Sequence, residues 1–232
     1  MNIRAAIFDK DGTLFDFQST WGVWTGLILA RIAGEDTALF EQLAQALKYD
    51  AQARKVMPGS VIVAGTPLEI AQNIQRFKSD MTVAEILNQL NEEAEHAPQV
   101  LVTDLRILTA KLRALGLQLS VMTNDAERPT RAHLAAAGAL QLFDHVIGSD
   151  SGFGAKPEAV PLLALAAKMD VPPACCVMVG DSQHDLHSGR EAGMRVVAVL
   201  TGLAGREELS SLADVVLPDV SHLPAWISAQ NS

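Results

Sequence analysis

Along the chain, short apolar runs ending in polar loops alternate with amphipathic stretches, and one long segment breaks the alternation. Ala5–Phe8 is an apolar run of strand length that stops at Asp9-Lys10-Asp11-Gly12-Thr13, where Gly12 permits a turn with unusual backbone angles. Leu117–Met122 predicts a second strand, ending at Thr123-Asn124-Asp125, and His145–Gly148 a third. Cys175–Val179, running into Gly180-Asp181, then Val196–Leu200 and Val215–Leu217 predict the others. Between them, helical spacing covers Leu101–Leu115, Arg128–Ala137, Glu158–Met169 and His184–Ala192. Gly116, Gly138 and Gly193 follow three of these stretches, where helices commonly stop. Repeated strand–helix alternation predicts an α/β fold with a Rossmann-like parallel sheet and helices on both faces.

The exception lies between Trp21 and about His96. Trp21–Ala33, Thr37–Tyr49, Pro67–Lys78 and Val83–His96 all repeat apolar residues at helical spacing, with no strand between them. In the last of these, Val83, Ile86, Leu87 and Leu90 share one face and Glu92, Glu93 and Glu95 make a solvated overhang. Thr82 with Glu85 matches a capping box at its start, with Asp80 a competitor for the cap. Pro58-Gly59 and Gly65-Thr66-Pro67 punctuate the middle. This stretch is expected to be an all-helical insertion.

Composition narrows the class. With 232 residues, 49% hydrophobic and 19% charged, the chain can bury a substantial core. A formal charge of −9 makes it a poor general binder of nucleic acid or anionic membrane. The first residues carry one basic group and an apolar stretch too short for a signal peptide, and no apolar run reaches bilayer-spanning length. The expectation is a cytoplasmic protein, monomer or homodimer, without nucleic-acid or membrane partners. Cys175 and Cys176 are adjacent and exclude a disulfide framework.

Four features fall where strands end or beside them. Asp9 and Asp11, one residue apart in a turn, can share a divalent cation, one through its side chain and one through its carbonyl. Thr123 follows an apolar strand, where a hydroxyl and neighbouring N–H groups can face an anion. Lys156 sits in the constrained loop Gly154-Ala155-Lys156-Pro157. Asp181 and Asp185 are an acidic pair one helical turn apart in Gly180-Asp181-Ser182-Gln183-His184-Asp185. In a parallel sheet all four converge on one edge.

Taken in order, D-x-D-G-T, a strand ending in Thr, an isolated Lys and G-D-S-x-x-D resemble the haloacid dehalogenase superfamily in its phosphatase branch. With the helical insertion directly after the first motif, the set is most similar to phosphoglycolate-phosphatase-like members. Lys10 stands where an apolar residue is more frequent, and Lys156-Pro157-Glu158-Ala159 lacks the K-P-x-P form of close relatives. The resemblance implies a core of residues 1–15 and 98–232 with a helical cap over 16–97. It implies a magnesium-dependent phosphatase acting on a small phosphorylated metabolite: phosphoglycolate, a sugar phosphate or similar. Asp9 would be the nucleophile forming an aspartyl-phosphate, and Asp11 the general acid and base. Thr123, Asn124 and Lys156 would hold the phosphate. Asp9, Asp11 and Asp181 would hold Mg²⁺, with Asp185 just outside them.

Plainer roles stand beside these. Asp and Gly make turns, Thr123 can satisfy a strand end, Lys156 can be a solvated lysine, and Asp185 can favour a helix N-terminus. His184 and His187 lack a third ligand at recognisable spacing and read as a surface helix. Trp21 and Trp24 either anchor the insertion or line a substrate mouth. A phosphomutase would share the same four motifs and intermediate. A receiver domain would be shorter and lack Asp11. A dehalogenase would use no magnesium and have no need of Asp11, and a non-catalytic binding protein would have lost one of these groups.

Overall fold

The computed structural model describes residues 2–231. Met1 and Ser232, the outermost positions of the expected core segments, lie outside the described residues. Six parallel strands form the main sheet: β1 (Ala5–Phe8), β4 (Gln118–Met122), β5 (His145–Ile147), β6 (Cys176–Gly180), β7 (Arg195–Val199) and β8 (Val215–Leu217). Their order is β5-β4-β1-β6-β7-β8. The chain therefore builds outward from β1 on one side, then returns and builds outward on the other. The C-terminal end of β1, flanked by neighbours that lead away in opposite directions, is the crevice where such sheets bind ligands.

Strand alternation divides the core. Ala6 and Phe8, with Val177, Val179, Val197 and Val199, bury against α6 (Leu105–Ala114), α7 (Glu127–Ala136) and α11 (Leu223–Asn231). Ala5, Ile7, Cys176 and Met178 face α8 (Val160–Lys168), while Val196 and Ala198 face α9 (Gln183–Glu191) and α10 (Arg206–Ser210). Both faces being covered explains why these strands read as unbroken apolar runs. Asp104 caps α6 by accepting from the N–H groups of Arg106 (2.9 Å) and Ile107 (3.2 Å), so that helix starts later than the expected Leu101.

The insertion follows β1. A π-helical turn, Gln18–Gly22, runs into α1 (Val23–Ala33), and α2 (Thr37–Ala46), α3 (Val61–Ala64), α4 (Pro67–Gln75) and α5 (Val83–Glu95) complete it. These elements share a hydrophobic cluster of their own that includes Trp24, Ile28, Leu43, Ile74, Ile86 and Leu90. Thr82 and Glu85 do form a capping box on α5, and Thr66 with Glu69 forms another on α4. Glu92 and Glu93 pair with Arg31 at 3.3 and 3.4 Å on an outer surface. One expected helix is shorter than its pattern. The chain leaves α2 at Ala46, and Tyr49–Asp50 (β2) pairs antiparallel with Lys55–Val56 (β3), with Lys48 at φ 50° turning the backbone. Tyr49 still buries its ring in the helical cluster, which is why it fits the helical repeat.

The two chain crossings into the insertion lie side by side. Asp16 N–H donates to Val100 O (2.8 Å), and Val102 N–H donates to Leu14 O (3.0 Å). Among the described residues no helix is long and apolar enough to cross a membrane.

Candidate active site

The loop after β1 is tightly tied. Asp9 N–H donates to Val179 O of β6 (2.9 Å), which carries the strand register one residue past β1. The Lys10 carbonyl then accepts from Leu14 (2.8 Å) and Phe15 (3.0 Å), and Gly12 N–H donates back to Phe15 O (2.7 Å). Gly12 has φ 81°, and a Cβ there would fall 2.5 Å from the Asp181 carboxyl carbon, so the position demands glycine twice over.

Lys156 is the centre of the acids. Its ammonium donates to Asp9 Oδ1 (2.5 Å), Asp185 Oδ1 (2.6 Å) and Met122 O (3.1 Å) at the end of β4. One carboxylate oxygen from each of Asp9, Asp181 and Asp185 lies within 4.8 Å of the others, and all three residues are buried. Asp185 also accepts from Ser182 N–H (3.0 Å) and Ser182 Oγ–H (2.7 Å). Its first-turn helix role and its contact with Lys156 are therefore both real. Thr13 Oγ1 donates to Asp181 Oδ1 (3.3 Å).

Burial, reinforced by Asp185 and Asp11 and opposed by Lys156, pushes the Asp9 carboxyl up to about 7. Burial and the Asp9 and Asp185 charges likewise hold Asp181 well above the usual carboxylate range. Burial disfavours charge on Lys156, but Asp185 and Asp9 outweigh it and raise its pKa. Crowded oxygen donors with more negative charge than one ammonium balances are suited to a hard divalent cation, whose charge would return the carboxyls to their ionised forms. The residues present thus form a buried acid cluster that fits a metal ion.

The remaining expected residues also reach this edge. Asp11 lines the same cavity as Asp9, Thr123, Asn124, Lys156, Asp181 and Asp185. Thr123 Oγ1 accepts from Asp125 N–H (3.1 Å), a bond that uses its oxygen and not its proton. Asn124 is braced differently from a plain anion donor. Its amide donates to Lys156 O (2.8 Å) and to Ala64 O of the insertion (2.7 Å), and its oxygen accepts from Lys156 N–H (2.9 Å). Trp21 and Trp24 do both things weighed for them, burying in the helical cluster and lining the cavity.

Two parts of the site escaped sequence reasoning. The first follows β7: Thr201 Oγ1 donates to Gly12 O (2.5 Å), and a Cβ on Gly202 would fall 1.7 Å from Asp181 Oδ2. A Thr-Gly directly after a predicted strand was the available signal. The second surrounds Lys10, whose side chain is 0% exposed. Its ammonium pairs with Asp11 (2.9 Å) and Asp125 (3.2 Å), donates to His133 Nδ1 (2.9 Å), and lies 5.3 Å from the Trp21 ring centroid. His133 Nε2 meets Ala94 O of α5 at 2.6 Å, and since a carbonyl only accepts, Nε2 carries the proton and Nδ1 receives from Lys10. Burial and the Lys10 charge, opposed by Ala94 O, lower His133 to about 4. Burial, opposed by Lys10, lifts Asp125 to about 6.

Other candidates stay outside. His187 is exposed on α9, and His184 alone of the two lines the cavity. Both cysteines are free, and burial pushes the Cys176 thiol up to about 12, away from a reactive thiolate.

Comparison with known proteins gives the family. Residues 3–193 match the family of haloacid dehalogenase-like hydrolases. A phosphoglycolate phosphatase of Rhodospirillum rubrum is 30% identical over 97% of this chain and 90% of its own length. Among solved structures, CbbY from Rhodobacter sphaeroides, in complex with phosphate, superposes with a TM-score of 0.71 at 22% identity, covering 95% of this chain and 96% of that one. β-Phosphoglucomutase from Clostridium difficile superposes with a TM-score of 0.69 at 16% identity, covering 99% and 96%. The chain belongs to the haloacid dehalogenase-like hydrolase family. Within it, the chain is a hydrolase of the phosphatase type, similar in sequence to phosphoglycolate phosphatases.

Two outcomes follow from this geometry. Gly202→Ala must displace the Asp181 carboxylate or the loop after β7, and should weaken divalent-cation binding, read by titration calorimetry, by roughly tenfold or more. The second concerns acid stability. His133 has its folded pKa lowered from 6.5 to about 4, so the unfolded chain binds the extra proton between those values. Its contribution is complete above pH 6.5 and is lost as pH falls toward 4. At pH 5 the wild type should have lost about 2 kcal/mol through this group. Denaturant titrations of wild type and His133→Asn across that window should show the steeper acid loss in wild type.

Proposed function

We propose that this chain is a magnesium-dependent phosphatase that cleaves a small phosphate monoester through a covalent intermediate on Asp9. The observation that carries the reading is the setting of the Asp9 carboxylate. It lies 2.5 Å from a buried lysine ammonium, within 4.8 Å of two more acids, and on the wall of a cavity shared with Asp11. Asp9, Asp181 and the Asp11 carbonyl would hold Mg²⁺, with Asp185 fixing Lys156 beside them. When bound, the ion supplies positive charge that offsets the approach of one anion to another.

In the first half-reaction an Asp9 oxygen bonds to phosphorus as the bond from phosphorus to the leaving oxygen breaks. Asp11 gives its proton to that leaving oxygen. In the second, a water oxygen bonds to phosphorus while Asp11 takes the water's proton, and the bond to Asp9 breaks to release inorganic phosphate. The Thr123 hydroxyl, the Asn124 main-chain N–H and the Lys156 ammonium steady the phosphoryl oxygens as charge redistributes. Lys10 pairs with the Asp11 carboxylate at 2.9 Å and so restrains that side chain.

The same reading assigns residues 1–15 and 98–232 to the core and 16–97 to a cap. The cap would pivot where Leu14–Asp16 pairs with Val100–Val102, admitting a small phosphorylated metabolite of the cytoplasm and then excluding bulk water.

Phosphate release from a panel of monoesters, with and without magnesium, tests this. Turnover should require magnesium and vanish in Asp9→Asn. Asp11→Asn should lower it by roughly 10²–10⁴-fold. Turnover that survives Asp9→Asn would sink the mechanism, and isomerisation of a sugar phosphate without free phosphate would make the chain a phosphomutase.

A further inference from the structure

The cavity has two unlike walls. On the sheet side stand five carboxylates (Asp9, Asp11, Asp125, Asp181 and Asp185), His184 and one lysine, Lys156, whose ammonium is already shared between Asp9, Asp185 and a carbonyl. The opposite wall is built by the insertion and the segment leading into it. Phe17, Trp21, Trp24, Ile70, Leu90 and Ala94 carry most of it, and none of its side chains is ionisable. Trp21 and Trp24 meet edge to face with centroids 4.9 Å apart, so this wall is also stiff.

Two buried polar atoms of the apolar wall are unsatisfied. Trp24 Nε1 and Asn91 Oδ1 are buried without a hydrogen-bond partner among the described residues. Both residues line the cavity. Buried polar groups are nearly always paired, and an indole N–H can only donate. Two such groups in the wall facing the acids are a place for a ligand to complete.

We infer that the group leaving phosphorus is the residue of an uncharged alcohol or phenol with a largely apolar body and one further hydroxyl, seated on Trp21 and Trp24, the hydroxyl accepting from Trp24 Nε1 and donating to Asn91 Oδ1. This rests on the phosphatase reading and names its substrate class. A leaving group carrying a carboxylate, as in phosphoglycolate, would find no cation on this wall and would lose hydration without a charged partner. A polyhydroxylated sugar would desolvate several hydroxyls against a largely apolar wall.

The test compares kcat/KM for 4-hydroxyphenyl phosphate and phenyl phosphate with that for phosphoglycolate and glucose 6-phosphate, all with magnesium, in wild type, Trp24→Phe and Asn91→Lys. Wild type should favour the uncharged esters by at least about tenfold, the scale of a mispaired buried group. Asn91→Lys gives a carboxylate its missing partner and should shift the ratio of phosphoglycolate to phenyl phosphate upward by a similar factor, through KM. Trp24→Phe keeps an aromatic ring but removes the N–H, and should erase the preference for 4-hydroxyphenyl phosphate over phenyl phosphate. Equal or better turnover of phosphoglycolate by wild type overturns the inference while the phosphatase reading stands, because phosphate is still released. A ratio unmoved in folded Asn91→Lys overturns it as well. If no ester releases phosphate, the phosphatase reading fails. Quenching of tryptophan fluorescence in Asp9→Asn then decides the subsite alone, tighter binding of phenyl phosphate supporting it and tighter binding of phosphoglycolate overturning it.

Discussion

Everything at the sheet edge follows from burying more negative charge than positive. Five carboxylates line one cavity, and the two buried ammoniums near them, Lys156 and Lys10, are each shared between two acids. Strand geometry forces this. Parallel strands deliver the residues that follow them to the same edge, and the order β5-β4-β1-β6 brings Asp9, Thr123 and Asp181 onto adjacent strand ends. The cost appears as carboxyls displaced toward their neutral forms at Asp9 and Asp181. The glycines at 12, 180 and 202 serve the same constraint, since a Cβ at any of them would come within 2.5 Å of Asp181 or Asp185. Acids packed so closely favour a cation among them, so the backbone path itself builds a cluster that could hold a metal ion.

Lys10 shows how a second charge is managed a few ångströms away. Its ammonium binds Asp11 and Asp125 on one side and His133 on the other, and His133 binds the last turn of α5 through Ala94 O. The loop after β1 is therefore tied to the insertion through two side chains. Asn124 makes a parallel tie, from the loop after β4 to Ala64 O. Both contacts use carbonyl acceptors of the insertion, so its approach to the sheet edge is registered by polar groups that need specific positions and not only by apolar contact.

Much of this was legible in the sequence, and the reasons differ by element. The strands were visible because both faces of the sheet are covered and each strand is mostly apolar. The four motif positions were visible because they punctuate those strands with polar residues. Lys10 was seen only as a departure from an apolar position. Its burial depends on acids at positions 11 and 125 and an imidazole at 133 that the fold brings together, and no local pattern reports that. Tyr49 fits a helical spacing although it lies in a two-residue ribbon, because an aromatic there is buried equally well on the same cluster. Thr201 and Gly202 were overlooked because a threonine and a glycine carry no charge, although they close the loop around Asp181. Asn124 was marked for its place in the motif, and its amide proves to be a brace.

The paired crossings at Leu14–Asp16 and Val100–Val102 have a consequence for how such a molecule could be remodelled over time. Because the insertion leaves and re-enters through strands joined by hydrogen bonds of 2.8 and 3.0 Å, its two ends are already adjacent. Excising it would require only a short turn to rejoin the chain, and a module of different length or shape could be grafted there with β1 and the sheet edge undisturbed. The apparatus that handles phosphorus and the surface that greets the rest of the molecule are thus separable in heredity. Each can diverge at its own pace, one held by charge and the other free to follow a new ligand.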